Sequence, residues 1–173
     1  MTTTVLALIH GDVPSLGDLL LLLVVLAVMI LAVVLAVIDA RTMLLPNKLL
    51  LPAYPATAAA LLICAGVSGE WNRALWALIG GAGLWGAFWV YGLLGPAGHL
   101  GFGDVKLMGW LGMVLGYVGA GTPAAFLLPI LIAFVTAAVV GLLMLLARRI
   151  TLKDSIPFGP FLVLGSLITL VLI

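Results

Sequence analysis

The stretch that decides the fold is Leu19–Asp39, which reads LLLLLVVLAVMILAVVLAVID. All of its residues before Asp39 are apolar, and about 20 such residues form a helix long enough to cross a lipid bilayer. A carboxylate at the edge of a membrane segment is energetically costly, so it is usually retained for function. The stretch therefore predicts a transmembrane helix that carries a functional acid at one end.

Composition extends this prediction to the whole chain. Of its 173 residues, 65% are hydrophobic and only 8% are charged, and the net charge is +1. These values are typical of an integral membrane protein, and so few cations exclude a basic surface for nucleic acid. The single cysteine, Cys64, is expected to be a small buried residue, and His10 and His99 are expected to be unrelated loop residues. The sequence therefore predicts no metal site and no cofactor.

Apolar segments predict an all-α polytopic membrane protein with six transmembrane helices. Residues 1–173 are expected to form one membrane-embedded domain with a short N-terminal tail over residues 1–17. No cleavage site follows the first segment, so the first helix is expected to be retained. The predicted segments are Asp18–Ile38, Leu49–Gly66, Ala74–Leu94, Val105–Ala120, Ala124–Ala147 and Pro157–Ile173.

The positions of Lys and Arg predict the orientation, because cytoplasmic loops of membrane proteins carry an excess of both. With both termini outside the cell, only Arg73 lies on the outer side. The remaining cations are then all cytosolic, namely Arg41, Lys48, Lys106, Arg148, Arg149 and Lys153. This topology places Asp39 and Asp104 at one depth, at the cytosolic ends of helices 1 and 4. The two carboxyls are expected to meet if these helices pack together, as paired-carboxylate chemistry requires.

Three predicted cytosolic loops contain unusual residues. In Leu45-Pro46-Asn47, Pro46 is expected to stop a helix and Asn47 to cap the next one. The glycines of Gly101-Phe102-Gly103-Asp104-Val105-Lys106 are expected to make room for a substrate backbone beside the acid. Pro157-Phe158-Gly159-Pro160-Phe161 is expected to bend or break the backbone. In helix 4, one face is expected to pack closely against another helix, helix 1 included, through Gly109, Gly112, Gly116 and Gly119.

Together these loops resemble the type IV prepilin peptidases, a family of membrane aspartyl proteases with a G-x-G-D motif. The matching elements are Asp39 with Leu45-Pro46-Asn47, then Gly101–Lys106, then Pro157–Phe161. The resemblance extends from about Leu19 to the end of the chain, and it implies that Asp39 and Asp104 are the catalytic pair of an aspartic endopeptidase. It also implies a set of residues that bind substrate or shape the loops, namely Pro46, Asn47, Gly101, Gly103, Lys106, Pro157 and Gly159.

The family resembled here removes a short basic leader from prepilin-like proteins at the cytosolic face of the prokaryotic cell membrane. The resemblance thus implies a prepilin or pseudopilin substrate and a multi-pass protein in contact with the lipid bilayer, and it leaves a homo-oligomer open. Many members also methylate the new N-terminus and carry paired cysteines. No C-x-x-C occurs here, so methyltransferase activity is not expected. Because the leader is basic, Arg41, Lys48 and Lys106 are expected to contact anionic lipid more than substrate.

Three other functions stay open. A small proton-coupled transporter would also use both aspartates, but it would need ionisable groups at successive depths. An assembly scaffold without chemistry would leave both acids without a purpose. A presenilin-type intramembrane protease also uses G-x-G-D, but its Pro-Ala-Leu element is absent, and Pro157-Phe158-Gly159-Pro160 stands at the comparable place.

Overall fold

The computed structural model describes residues 15–94, 101–149, 151 and 156–173. Over these residues the chain forms six α-helices, which confirms the predicted all-α class. The helices are α1 (Leu16–Thr42), α2 (Asn47–Ser68), α3 (Trp71–Leu94), α4 (Phe102–Gly119), α5 (Pro123–Leu146) and α6 (Gly159–Leu172). The two histidines, Lys153 and most of the predicted N-terminal tail lie outside the described residues.

Four of the described helices, α1, α2, α3 and α5, are long and apolar enough to cross a membrane. These helices indicate a multi-pass membrane protein. Helix α6 has 14 residues and is shorter, and α4 has 18 residues and carries two charged side chains near its start. Nearly all of α4 is buried by the other helices. A helix enclosed in this way needs little apolar surface toward lipid, which explains its weaker hydropathy.

Helix α1 extends beyond the apolar run at both ends. At its start, the Ser15 hydroxyl accepts the N–H of Asp18 and the Asp18 carboxylate accepts the N–H of Ser15, both at 3.2 Å, which forms a capping box. At its other end, the helix continues past Asp39 to Thr42 and is closed by Met43 in the left-handed conformation, at φ 52°. The expectation that Asp39 ends the helix is therefore wrong, and the acid lies within the last turn.

Helix α4 is the central helix of the bundle. It packs most extensively against α3 and also contacts α2, α5 and α6. Helix α6 packs against α1, α4 and α5, so it lies against both helices that carry the predicted catalytic acids. Helix α1 has its more extensive contacts with α2 and α6, rather than with α4 as expected from the sequence. The two acids are thus brought together through α6.

The glycine face of α4 packs closely, as predicted, but against a different helix. A methyl group added to Gly112 would lie 2.5 Å from the carbonyl oxygen of Gly80 in α3. A methyl group added to Gly109 would lie 2.9 Å from the Trp85 side chain of the same helix. The expectation that these glycines hold α4 against α1 is therefore wrong. Helix α3 supplies a complementary surface because Gly80 and Gly81 also lack side chains, which lets the two backbones approach.

Candidate active site

Both predicted catalytic acids lie at one end of the bundle, where α1 ends and where α2, α4 and α6 begin. Asp39 is in the last turn of α1, and Asp104 is in the first turn of α4. Their side chains are buried, with residue exposures of 5% and 8%. The two carboxyls are close enough for the charge of Asp39 to influence Asp104. The structure therefore brings together two acids that are far apart in the sequence.

The Asp39 carboxyl is held by the start of α6. The backbone N–H of Gly159, the first residue of that helix, donates a hydrogen bond of 3.1 Å to Asp39 Oδ2. N–H groups at a helix start have no partner within their own helix, so they are available for such a contact. A methyl group on Gly159 would lie 2.6 Å from the same oxygen, so a larger residue would displace the Asp39 carboxyl or the start of α6. The close approach of these two segments thus depends on a glycine.

The prolines of Pro157–Phe161 lie where α6 begins. Pro157 lies just before the helix, and the carbonyl of Phe158 accepts the N–H groups of Phe161 and Leu162 at 3.1 and 3.2 Å. Pro160 occupies the first turn, where its missing N–H has no cost because that group would be unpaired anyway. Helix α6 starts two residues later than the predicted segment. Its first backbone N–H, that of Gly159, is thereby placed at the Asp39 carboxyl.

Asp104 is positioned by the glycines of its motif. Gly101 is the residue that caps α4, and its carbonyl accepts the N–H of Asp104 at 3.0 Å. A methyl group on Gly103 would lie 3.0 Å from Cδ1 of Leu45, in the connection between α1 and α2. The space beside Gly103 is thus occupied by the chain's own Leu45, where the sequence suggested a substrate backbone. Gly103 brings the α1–α2 connection close to the first turn of α4.

Lys106 joins the starts of α2 and α4. Its ammonium donates a 2.9 Å hydrogen bond to Oδ1 of Asn47 and lies 4.8 Å from the centre of the Phe102 ring. The expected capping role of Asn47 is wrong, because Pro46 is the N-cap residue and Asn47 is the first residue of the helix. The Pro46 carbonyl accepts the N–H groups of Leu49 and Leu50, both at 3.1 Å. Pro46 therefore caps α2, whereas Asn47 connects the start of α2 to α4 through Lys106.

Tyr54 is a neighbour of the site that the sequence interpretation missed. Its hydroxyl donates a 2.5 Å hydrogen bond to the carbonyl oxygen of Lys106, which ties α2 to the second turn of α4. One helix turn deeper, the indole N–H of Trp110 donates to the Thr57 hydroxyl at 2.8 Å, and both groups are buried. The spacing of Asn47 and Tyr54, two turns apart on one face of α2, was the signal that could have identified this contact.

The described part of the site offers two buried carboxyls with several backbone N–H and carbonyl groups around them. No group of three His, Cys, Asp or Glu side chains that could hold a metal ion occurs among the described residues. When the charge of one carboxyl opposes the ionisation of a second, one member of the pair tends to keep its proton. Such a pair can supply a general base and a general acid to one reaction.

Comparison with known proteins identifies the family. The sequence model of the type IV leader peptidase family matches residues 26–146. The chain is 36% identical over 137 residues to a prepilin leader peptidase/N-methyltransferase of Burkholderia pseudomallei, an alignment that covers 77% of this chain and 41% of the relative. Relatives with the same name from Stutzerimonas stutzeri and Pseudomonas aeruginosa are 31% and 32% identical over 136 residues, which cover 78% of this chain and 44% of each relative.

The chain thus spans less than half the length of these curated relatives, and no solved structure matches it. The family match covers well over half of the chain and includes both Asp39 and Asp104. The chain therefore belongs to the type IV leader peptidase family.

Proposed function

We propose that this chain is a membrane aspartic endopeptidase that removes the basic leader from prepilin or pseudopilin proteins. One observation carries the proposal: the buried carboxyls of Asp39 and Asp104 lie together at one end of the bundle. Family membership and the names of the relatives support the same activity. A transporter would need ionisable groups along the depth of the bundle, whereas both of these acids lie at the same end.

The chemistry follows from one proton shared by two carboxyls. The ionised member takes a proton from a water molecule, which attacks the scissile carbonyl carbon of the leader peptide. The protonated member donates a hydrogen bond to the carbonyl oxygen, on which negative charge develops. The carboxyl that took the proton from water then gives it to the amide nitrogen, and the C–N bond breaks to release the amine and the new carboxyl group. The Gly159 N–H keeps the Asp39 carboxyl oriented during these steps, because it holds one carboxylate oxygen in place.

We further propose six transmembrane helices in the cytoplasmic membrane of a prokaryote, with both termini outside the cell. In this topology α4 and α6 complete the set of spans, and α4 crosses the membrane largely surrounded by other helices. The end of the bundle with Asp39 and Asp104 also carries Arg41, Lys48 and Lys106. Since an excess of Lys and Arg is a property of cytoplasmic loops, this end is assigned to the cytosol, where a basic leader is accessible.

The test is cleavage of a synthetic prepilin by the purified 173-residue chain in lipid vesicles, followed by mass spectrometry. We expect one cut, between the basic leader and the apolar helix of the substrate. Chelators and reagents directed at serine or cysteine nucleophiles are expected to leave the rate unchanged. Absence of cleavage by correctly folded chain, or complete inhibition by a chelator, would contradict the proposal. Added S-adenosylmethionine tests in the same assay the expectation that this chain does not methylate the product.

A further inference from the structure

A large groove lies between α2, α3 and α4. Its volume is about 510 Å³, within the roughly 300–1,000 Å³ that is typical of ligand pockets. The walls are almost entirely apolar, and they include Leu51 from α2, Leu78 and Trp85 from α3 and Met113 from α4. Leu51 and Leu78 are more than half exposed at the surface of the bundle. The groove is therefore open sideways, toward the position of the surrounding lipid.

The groove has one charged end. Lys106 lines it near the start of α4, and Met113 lies seven residues further along the same helix. Seven residues of α-helix span about 10 Å, whereas half of the hydrocarbon core is about 15 Å thick. The groove thus presents a cation near the membrane surface and apolar walls over most of the depth of one leaflet.

The charge of Lys106 is not balanced by an acid within the described ranges. The one ion pair found there joins Arg73 and Glu70, at the opposite end of the bundle. Lys106 instead contacts the neutral amide of Asn47 and the face of the Phe102 ring. An ammonium group carries three N–H donors, so it can bind an anionic oxygen in addition to the Asn47 side chain.

The groove and the two acids lie on different sides of α4. Asp104 and Lys106 are two residues apart, which is about 200° around the helix axis. Asp104 lies within the electrostatic influence of Asp39, and Lys106 faces α2 and the groove. A peptide that fills the groove would have to pass around α4 to present a bond to both acids. These positions favour an occupant of the groove that takes no part in hydrolysis.

We propose that this groove binds one anionic phospholipid, with its phosphate on the Lys106 ammonium and an acyl chain along Leu51, Trp85 and Met113. The negative headgroup complements the unbalanced cation, and the acyl chain complements the apolar walls. The site goes beyond the proteolytic activity, because it assigns a specific lipid to one cation, Lys106, among those at this end. Lys48 and Arg41 do not line the groove and therefore hold lipid only through general attraction.

The test titrates the purified full chain in detergent with phosphatidylglycerol or phosphatidylcholine and counts the retained lipids by native mass spectrometry. We expect one phosphatidylglycerol per chain, retained much more strongly than phosphatidylcholine. Lys106→Met is expected to weaken retention at least tenfold, and Lys106→Arg to preserve it. Lys48→Met removes a charge from the same end, and it is expected to weaken retention roughly fivefold or less, the effect of one cation near an anionic surface.

A second pair of variants fills the groove without changing any charge. Ala82 lines the groove, so Ala82→Phe is expected to displace the lipid, whereas Ala87→Phe on another face of α3 is not. The proposal is overturned if the two lipids bind equally, or if Lys48→Met and Lys106→Met have the same effect. It is also overturned if Ala82→Phe retains the lipid, or if a peptide of the substrate's apolar helix displaces it, which would assign the groove to the substrate. Thermal unfolding of each variant verifies that it is folded.

Discussion

At the scale of single residues, the orientation of the Asp39 carboxyl depends on a glycine 120 positions further along the chain. The Gly159 N–H donates to one oxygen of this carboxyl. Because Gly159 has no Cβ, the start of α6 can approach the end of α1 closely enough for this contact. A displacement of about 1 Å in a catalytic group can reduce a rate by 10². The structure therefore makes Gly159 a residue that positions the proposed catalytic acid through its backbone N–H, although it has no side chain that could take part in the reaction.

The change Gly159→Ala tests this role. The added methyl group would lie 2.6 Å from Asp39 Oδ2, so the carboxyl or the start of α6 must shift. We expect kcat for leader cleavage to fall by about 10² while the chain stays folded. Gly86→Ala is the matched control, because a methyl group there meets no atom within 4 Å. Equal rates for wild type and Gly159→Ala would show that the contact does not position the acid.

At the scale of helices, polar contacts in the interior fix α2 against α4. The Thr57 hydroxyl accepts the Trp110 indole N–H, and Tyr54 donates to the Lys106 carbonyl one turn nearer to the acids. Side-chain hydrogen bonds between membrane helices contribute on average about 0.6 kcal/mol each. Removal of one partner costs more when the other is left buried without a partner. The Thr57–Trp110 contact is therefore expected to contribute to the stability of the bundle.

Thr57→Val keeps the shape of the side chain and removes the acceptor. It leaves the buried Trp110 N–H without its partner, so we expect the free energy of unfolding to fall by about 1 kcal/mol. Thr57→Ser retains the hydroxyl and is expected to lose less. Denaturant titration of both variants in mixed micelles measures the difference. If the valine and serine variants are equally stable, the hydrogen bond does not hold these helices together.

The helices themselves could be predicted from the sequence, because long apolar runs in a membrane protein have few alternatives to an α-helix. The predicted segments Ala74–Leu94 and Ala124–Ala147 begin and end within one turn of α3 and α5. The end of α1 was placed too early, since the polar residues after Asp39 carry no apolar signal yet continue the helix. A pattern of hydropathy thus identifies where a chain enters lipid better than where a helix stops.

The contacts of the site were harder to predict. Crossing parity alone predicted that Asp39 and Asp104 lie at the same end of the bundle, since helices that alternate in direction return the chain to the same face; it did not predict which helix brings them together. The Gly159–Asp39 and Lys106–Asn47 hydrogen bonds join residues 120 and 59 positions apart, and they depend on which helices pack together. Packing was decided by shape, as in the contact of Gly80 with Gly112, and no periodicity in one helix identifies its partner.

At the scale of the whole molecule, the proposed function requires that the end of the bundle with the two acids faces the cytosol. Single cysteines in a Cys64→Ala background test this orientation, because Cys64 is buried and its removal leaves no other thiol. Leu44→Cys lies at the end with the two acids, and Asn72→Cys lies at the opposite end; both positions are exposed. A membrane-impermeant thiol reagent added to intact cells is expected to label position 72 alone. Labelling of both positions, or of position 44 alone, would contradict the topology.

The central claim is that Asp39 and Asp104 act as one catalytic pair, and the most direct test is the rate of leader cleavage by Asn variants. We expect Asp39→Asn and Asp104→Asn each to lose at least about 10³-fold in kcat, because each removes the acid or the base. The double variant is expected to be no slower than either single variant, as is typical of groups that act as a unit. Asp18→Asn, a control in the first turn of α1 at the opposite end, is expected to cleave at the wild-type rate. Substantial cleavage by Asp39→Asn or by Asp104→Asn, in a chain that is inserted and folded, would contradict the account.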